Sequence, residues 1–213
     1  MNGAIKFQLM DLRKKNFSAS TFLCASVPLW LILFFIPSCS NQNQDSSSLH
    51  SISLKTLDHQ DFSFNQLKNN KASVVIFLQP ECPFCISYGK TLRSLDSMFE
   101  AEQVKMYAVV AGKFYPDSEI VTYREKFQLH FLFLLDPDFV LRKNLKASVT
   151  PQAYLIDGKG NTVYHGMIDN WGYEIGKARA HATEFYLTDA VNNFLSGKPI
   201  ASDSTKAVGC FIQ

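Results

Sequence analysis

Residues 74–85 read VVIFLQPECPFC, and the predicted fold is organised around this stretch. Residues 74–78 form a continuous apolar, β-branched run, which is typical of a central strand covered on both faces. Pro80 ends that strand. Apolar residues then recur at helical spacing over residues 85–102, so a helix is predicted directly after the cysteine pair.

The remainder of the chain alternates predicted strands and helices. A hairpin is predicted over residues 51–64; after the helix at the cysteines come a strand over 104–110, a helix over 117–127, a strand over 131–135, a short helix over 139–145, a hairpin with strands over 153–156 and 162–168, and a last helix over 182–195. Elements in this order predict an α/β sandwich with a mixed sheet.

Two cysteines, Cys82 and Cys85, carry the most informative chemistry. Cys82 is predicted to lie at the helix N-terminus, where unpaired backbone N–H groups and the positive end of the helix dipole stabilise a thiolate. Pro83 suits the first helical position because its missing N–H costs nothing there. Cys85, three residues on, can close a small disulfide ring with Cys82. A thiolate with a second cysteine beside it is what reversible disulfide exchange requires.

The N-terminus has the features of an export signal. Basic residues between Lys6 and Lys15 precede an apolar run over residues 22–36. Residues 36–40, IPSCS, resemble the bacterial lipoprotein signal, in which Cys39 would carry the lipid. An uncleaved transmembrane helix is the alternative. Both predict a protein anchored in the membrane of the bacterial cell envelope that faces the periplasm or the surface.

Three segments follow from this composition. Residues 1–39 are predicted to be a lipoprotein-type signal or anchor. Residues 40–48, rich in Ser, Asn and Gln, cannot bury a core and are predicted to be a flexible tether. Residues 49–213 are predicted to form the folded domain.

Charge and cysteine usage exclude several function classes. The formal net charge of +2 is too small to indicate a nucleic-acid surface. A lone CxxC pair also occurs as half of a zinc site or as a purely structural disulfide. No second CxxC and no neighbouring Cys/His pair accompanies it. Its placement after a central strand favours redox chemistry, with no metal and no other cofactor.

The motifs resemble the thioredoxin-like superfamily, in its redoxin or TlpA-like branch of exported bacterial proteins. The resemblance covers about residues 49–213, and its strongest motifs are residues 77–85, FLQPECPFC, and residues 149–157, VTPQAYLID. It implies a three-layer α/β/α sandwich with a central mixed sheet, to which the first hairpin is an N-terminal extension. It also implies a cis bond between Thr150 and Pro151, packed against the cysteines.

Together with the N-terminal signal, the resemblance implies a membrane-anchored thiol–disulfide oxidoreductase. Its partners would be the thiols or disulfides of exported proteins and an upstream thiol electron carrier. The implied catalytic residues are Cys82, Cys85 and Pro151, with Cys82 and Cys85 as the redox-active disulfide, and the implied substrate-groove residues are Pro83, Phe84 and Thr150. Whether the protein reduces, oxidises or isomerises disulfides stays open.

Departures from the family pattern leave two alternatives. Ile76 stands where thioredoxin has a buried acid, and Glu81 beside Cys82 is expected to oppose its ionisation. A thioredoxin-fold peroxidase is the first alternative, although Gln79 replaces the threonine that peroxiredoxins place three residues before their cysteine. A copper-binding metallochaperone is the second, with His165 as the histidine near the site.

Two further features concern residues distant from the pair. Cys210 is left over once Cys82 and Cys85 pair and Cys39 carries lipid. It is either a third redox cysteine that exchanges with Cys82 or a tail cysteine without a role. Residues 164–171 are predicted to form a solvated turn in which Trp171 fills a gap in the packing. A loop that lines a substrate groove near the active site is the alternative. Gly166 resembles a family glycine whose side chain would crowd the site.

Overall fold

The structure is a computed structural model, and it describes residues 49–213. The predicted signal, its lipid-bearing Cys39 and the predicted tether all lie outside the described residues. Within residues 49–213, no helix has the length and apolar character needed to cross a bilayer.

The described elements alternate largely as the sequence predicted. The strands are β1 (Ser53–Thr56), β2 (Asp61–Ser63), β3 (Ala72–Phe77), β4 (Val104–Ala111), β5 (Leu132–Asp136), β6 (Val149–Thr150), β7 (Gln152–Asp157), β8 (Thr162–Gly166), β9 (Gly172–Glu174), β10 (Lys177–Ala178) and β11 (Cys210–Phe211). The helices are α1 (Pro83–Ala101), α2 (Asp117–Phe127), α3 (Val140–Leu145) and α4 (Tyr186–Leu195), with a 3-10 helix at Phe64–Asn69.

One mixed sheet organises the domain, with strand order β2-β1-β5-β4-β3-β7-β8. Strands β3, β4 and β5 run parallel to one another. The other neighbouring pairs in this sheet are antiparallel. The predicted N-terminal hairpin is β1–β2, and it extends the sheet through β5. The predicted mixed-sheet α/β/α sandwich is therefore confirmed.

Strand β3 forms the centre of the core, and all its residues are buried. Successive side chains of a strand point to opposite faces. Val74 and Ile76 accordingly pack in a cluster with residues of α1, α2 and α4. Val75 and Phe77 pack in a second cluster with residues of α3 and the 3-10 helix. Because apolar layers cover both faces, the strand has the continuous apolar sequence of residues 74–78.

Some element boundaries differ from the predictions. The last helix begins at Tyr186 instead of residue 182, and the second strand of the last hairpin ends at Gly166 instead of residue 168. The short strands β6, β9, β10 and β11 were not predicted, because two or three residues show no readable periodicity. Two of them, β6 and β11, carry residues that contact the cysteine pair.

We expect the packing of α1 to be a main source of stability. Leu92 of α1 is fully buried in the first cluster, so Leu92→Ala should lower the free energy of unfolding by about 2–5 kcal/mol. Lys90 on the same helix is exposed, and Lys90→Ala should change the free energy of unfolding by less than about 0.5 kcal/mol. Urea denaturation of the full chain measures both values, and similar losses in the two variants would contradict this packing.

Candidate active site

The end of strand β3 delivers Cys82 to the start of α1. Cys82 is the residue before the first helical turn, with extended backbone angles of φ −66° and ψ 119°, and Pro83 occupies the first turn. The Cys82 N–H donates to the Gln79 carbonyl oxygen at 3.1 Å, and the Ile86 N–H donates to the Cys82 carbonyl oxygen at 2.9 Å. The predicted position of Cys82 at a helix N-terminus is therefore confirmed.

Both sulfurs of the pair are buried free thiols. Cys82 is 3% exposed and Cys85 is fully buried. The Gln79 N–H donates to the Cys85 sulfur at 3.5 Å, and the Tyr123 hydroxyl donates to the Cys85 carbonyl oxygen at 2.8 Å. Because its sulfur and its backbone are both held, Cys85 faces Cys82 from a fixed position.

The segment at Pro151 closes the site on the other side. The peptide bond between Thr150 and Pro151 is cis, as the resemblance implied. The Cys82 thiol donates to the Thr150 carbonyl oxygen at 3.2 Å, and the Thr150 hydroxyl donates to Oε1 of Gln79 at 2.9 Å. Thr150 is 1% exposed, so it contacts Cys82 from below the surface and does not line an open groove.

A third cysteine joins this pair. Strand β11 pairs antiparallel with β6, and Cys210 lies opposite Thr150. Both the thiol and the backbone N–H of Cys210 lie close enough to Cys82 to lower its pKa. Gly209 permits the close approach, because a Cβ there would lie 2.0 Å from the Thr150 carbonyl oxygen. The structure thus brings Cys82, Cys85 and Cys210 together.

The electrostatics select one thiolate among these cysteines. The pKa of Cys82 is lowered to about 5, chiefly by the hydrogen bond from the Cys85 thiol, against the opposing effect of burial and with help from the Cys210 thiol and the N–H groups of both residues. Burial, followed by the hydrogen bond to Cys82, raises the pKa of Cys85 well above its usual value. The same causes raise the pKa of Cys210 to about 12. Glu81, expected to oppose the ionisation of Cys82, is exposed and is not among the groups that shift the pKa of Cys82.

An apolar groove opens beside the cysteines. Its volume is about 380 Å³, and its walls include Pro83, Phe84, Trp171, Ile175 and Cys210. Two of the predicted groove residues, Pro83 and Phe84, therefore line it. The hairpin of β9 and β10 supplies Ile175, which is 64% exposed.

The loop before β9 is largely buried and lines the groove, so the predicted solvation was wrong, whereas Trp171 does fill a gap in the packing. Trp171 packs edge-on against Phe84 and Tyr88, with ring centroids 6.3 and 5.4 Å apart. Asp169 is 5% exposed, and its carboxylate accepts hydrogen bonds from the Tyr88 hydroxyl at 2.5 Å and from the backbone N–H of Trp171 at 2.9 Å. These bonds to a buried carboxylate hold the backbone of Trp171 beside α1.

Two predictions about strand β8 are corrected. His165 stacks on the ring of Tyr154 at 5.9 Å. Tyr154 packs in the second core cluster, whereas Cys82 packs in the first, so His165 lies on the opposite face of the sheet from the cysteines. Gly166 has φ +141°, and a Cβ there would lie 2.2 Å from Oγ1 of Thr205. Its missing side chain accommodates Thr205 and not the site.

Sequence comparisons give related proteins. A family model described as the AhpC/TSA family matches residues 46–165. A curated thioredoxin-like protein from Haemophilus influenzae is 27% identical over 139 residues, which cover 65% of this chain and 78% of that protein.

Comparisons of structure give the same fold. A hypothetical protein from Sinorhizobium meliloti 1021 matches with a TM-score of 0.66 at 22% identity, over 76% of this chain and 89% of that chain. A secreted disulfide oxidoreductase of Mycobacterium tuberculosis, described as homologous to E. coli DsbE, matches with a TM-score of 0.50 at 17% identity, over 71% of this chain and 98% of that chain. The shared architecture is the thioredoxin-like fold that the resemblance implied.

The hydrogen bonds to Cys82 predict an acidic thiol. In the reduced protein, the pH dependence of alkylation by iodoacetamide should have a midpoint near the Cys82 pKa of about 5. For an unperturbed thiol, the midpoint of this pH dependence would be about 8.5. Peptide mass spectrometry that quantifies alkylation at Cys82 separates this group from the other cysteines. An alkylation profile of Cys82 with a midpoint at the unperturbed value would show that the donors do not act on Cys82.

The same shift makes the stability of the reduced protein depend on pH. The folded pKa of Cys82 lies below the unfolded one, so unfolding takes up a proton between the folded value of about 5 and the unfolded value of about 8.5. The free energy of unfolding should therefore rise with pH across this window, and the contribution should be lost as the pH falls to the lower limit. Oxidised protein lacks the Cys82 thiol. Urea denaturation at several pH values should therefore show that its free energy of unfolding rises less steeply with pH over the same window.

Proposed function

We propose that this chain, which belongs to the AhpC/TSA family, is a thiol–disulfide oxidoreductase that acts through Cys82 and Cys85. The observation that supports this best is the asymmetry of the pair. Cys82 has a pKa lowered to about 5, while the pKa of Cys85 is raised by burial and by Cys82 itself. A thiolate nucleophile next to a protonated thiol is the arrangement that disulfide exchange uses.

The first step is attack by the Cys82 thiolate on a partner's disulfide. A bond forms between Cys82 and one partner sulfur, and the other partner sulfur leaves as a thiolate. The product is a mixed disulfide that has no charge at Cys82. The apolar groove beside Pro83 and Phe84 gives the partner's chain a surface to lie on.

The second step follows from the loss of that charge. The Cys82 thiolate contributes to the raised pKa of Cys85 through a hydrogen bond and through its charge, and both contributions end when the mixed disulfide forms. Cys85 then loses its proton more readily and attacks the Cys82 sulfur. The Cys82–Cys85 disulfide forms, and the partner leaves as a thiolate and takes up a proton. The same steps in reverse oxidise a partner.

We propose in addition that the protein is exported and anchored to a membrane of the bacterial cell envelope. Support comes from the basic and apolar sequence of residues 6–36 and from the lipoprotein-like residues 36–40. Lipid on Cys39 or an uncleaved helix would provide the anchor. The partners would then be exported protein thiols or disulfides and an upstream thiol electron carrier.

Peroxidase activity is the second candidate, and the acidic pKa of Cys82 is the observation that favours it. A thiolate that attacks a disulfide can also attack a peroxide, and Cys85 could resolve the product. The copper alternative receives no such support, because His165 stacks on Tyr154 on the other face of the sheet. Thiol-dependent peroxide consumption by the full chain, compared with Cys82→Ser, measures the peroxidase activity directly.

The proposed function is tested by turnover with a protein disulfide. Cys82→Ser should abolish the thiol-dependent reduction of insulin, because it removes the nucleophile. Ser94→Ala, at an exposed position of the same helix, should keep the wild-type rate. Insulin reduction by Cys82→Ser at the wild-type rate would refute the proposal, because Cys82 makes the first attack on the partner's disulfide in the proposed mechanism.

A further inference from the structure

The two-cysteine mechanism leaves Cys210 without a task, although the fold holds this residue firmly at the site. The Ile212 N–H donates to the Ser148 carbonyl oxygen at 3.0 Å. Ile212 is 5% exposed and packs in the second core cluster. The Arg142 guanidinium donates to the Ile212 carbonyl oxygen at 3.4 Å. The C-terminal strand is therefore docked into the domain, and Cys210 reaches Cys82 from a defined position.

Cys82 has a thiol neighbour on each of two sides. Cys85 approaches from within α1, and Cys210 approaches from β11. Thr150 fixes the second approach, because its carbonyl oxygen contacts the Cys82 sulfur at 3.2 Å and its backbone pairs with Cys210. Each neighbouring thiol lowers the pKa of Cys82. The contacts that place Cys85 for attack on Cys82 thus have counterparts at Cys210.

We propose that Cys210 is a third redox-active thiol, which forms a disulfide with Cys82 in competition with Cys85. This inference rests on the proposed function of the Cys82–Cys85 pair. In the exchange, Cys210 loses its proton and its sulfur attacks Cys82 of the Cys82–Cys85 disulfide. The Cys82–Cys210 bond forms, the Cys82–Cys85 bond breaks, and Cys85 leaves as a thiolate and takes up the proton. No outside oxidant or reductant is consumed.

Burial explains what the second disulfide adds. Cys82 and Cys85 are both buried, so their sulfurs offer an outside thiol a small target. Cys210 is only partly buried and lines the open groove. Exchange to the Cys82–Cys210 disulfide therefore moves one disulfide sulfur to a position that is more accessible to an outside thiol.

The leaving group favours this direction of attack. When one thiolate of an outside dithiol attacks Cys210, the bond to Cys82 breaks and Cys82 leaves as the thiolate of lowest pKa, and thiols of low pKa leave fastest. The second thiol of the dithiol then loses its proton and attacks the first sulfur of the dithiol, which is bonded to Cys210 in the mixed disulfide. This attack releases Cys210 as a thiolate. The dithiol ends as a disulfide, and the pair that began as Cys82–Cys85 ends reduced. Cys210 would thus receive electrons from the upstream carrier.

The test removes Cys85 and asks whether Cys210 can replace it. Full-chain Cys85→Ser is reacted with glutathione disulfide, which forms a mixed disulfide at Cys82. Cys210 should then displace glutathione and leave an intramolecular Cys82–Cys210 disulfide, identified by peptide mapping without reduction. In Cys85→Ser/Cys210→Ser the glutathione adduct at Cys82 should persist, at a level about tenfold or more above that in Cys85→Ser, because an oriented intramolecular thiol outcompetes one in solution.

Two controls separate the possible failures. Phe211, the next residue of β11, is 75% exposed, and adding Phe211→Ala to Cys85→Ser should leave the Cys82–Cys210 disulfide unchanged. Equal and persistent glutathione adducts in Cys85→Ser and in the double variant would overturn the role of Cys210 and leave the proposed function intact. No adduct at Cys82 in either variant would overturn both, because Cys82 would then not be the nucleophile.

Discussion

The buried sulfur of Cys82 governs the arrangement of the residues around it. A thiolate taken out of water is stable only where hydrogen-bond donors replace the water. Here the donors are the thiols and N–H groups of Cys85 and Cys210. The first set comes from the opening turn of α1, and the second requires the C-terminal strand to dock beside Thr150. The charge at one sulfur thereby couples the helix, the sheet and the tail.

Ile76 shows how proton handling differs from that of thioredoxin. The resemblance placed Ile76 where thioredoxin has a buried acid, and the side chain is fully buried in the core cluster that also holds the cysteines. A carboxylate at that position could exchange protons with the second cysteine, and a hydrocarbon side chain cannot. In the proposed mechanism the proton stays on Cys85 until the charge at Cys82 is lost. The control of protonation thus lies within the cysteine cluster.

Local patterns were sufficient to predict the centre of the fold and the position of Cys82. The apolar run over residues 74–78 and Pro83 after the first cysteine are both local signals. The remaining site residues depend on long-range contacts. Cys210 meets Thr150 across 60 residues through a two-residue strand, and the burial of Asp169 depends on the Tyr88 hydroxyl 81 residues earlier. The wrong prediction for His165 did not depend on long-range contacts. Neighbouring side chains of a strand point to opposite faces, so the buried Tyr164 on the cysteine side already places His165 on the other face.

The reduction potential of the Cys82–Cys85 couple is the decisive quantity for a redox-active pair built on a stabilised thiolate. A thiolate stabilised by hydrogen bonds favours the reduced form, which makes the disulfide a better oxidant. Equilibration of the full chain with glutathione buffers should therefore give a potential more positive than the thioredoxin value of about −270 mV. A potential below about −300 mV, typical of structural disulfides, would contradict the stabilisation of the Cys82 thiolate.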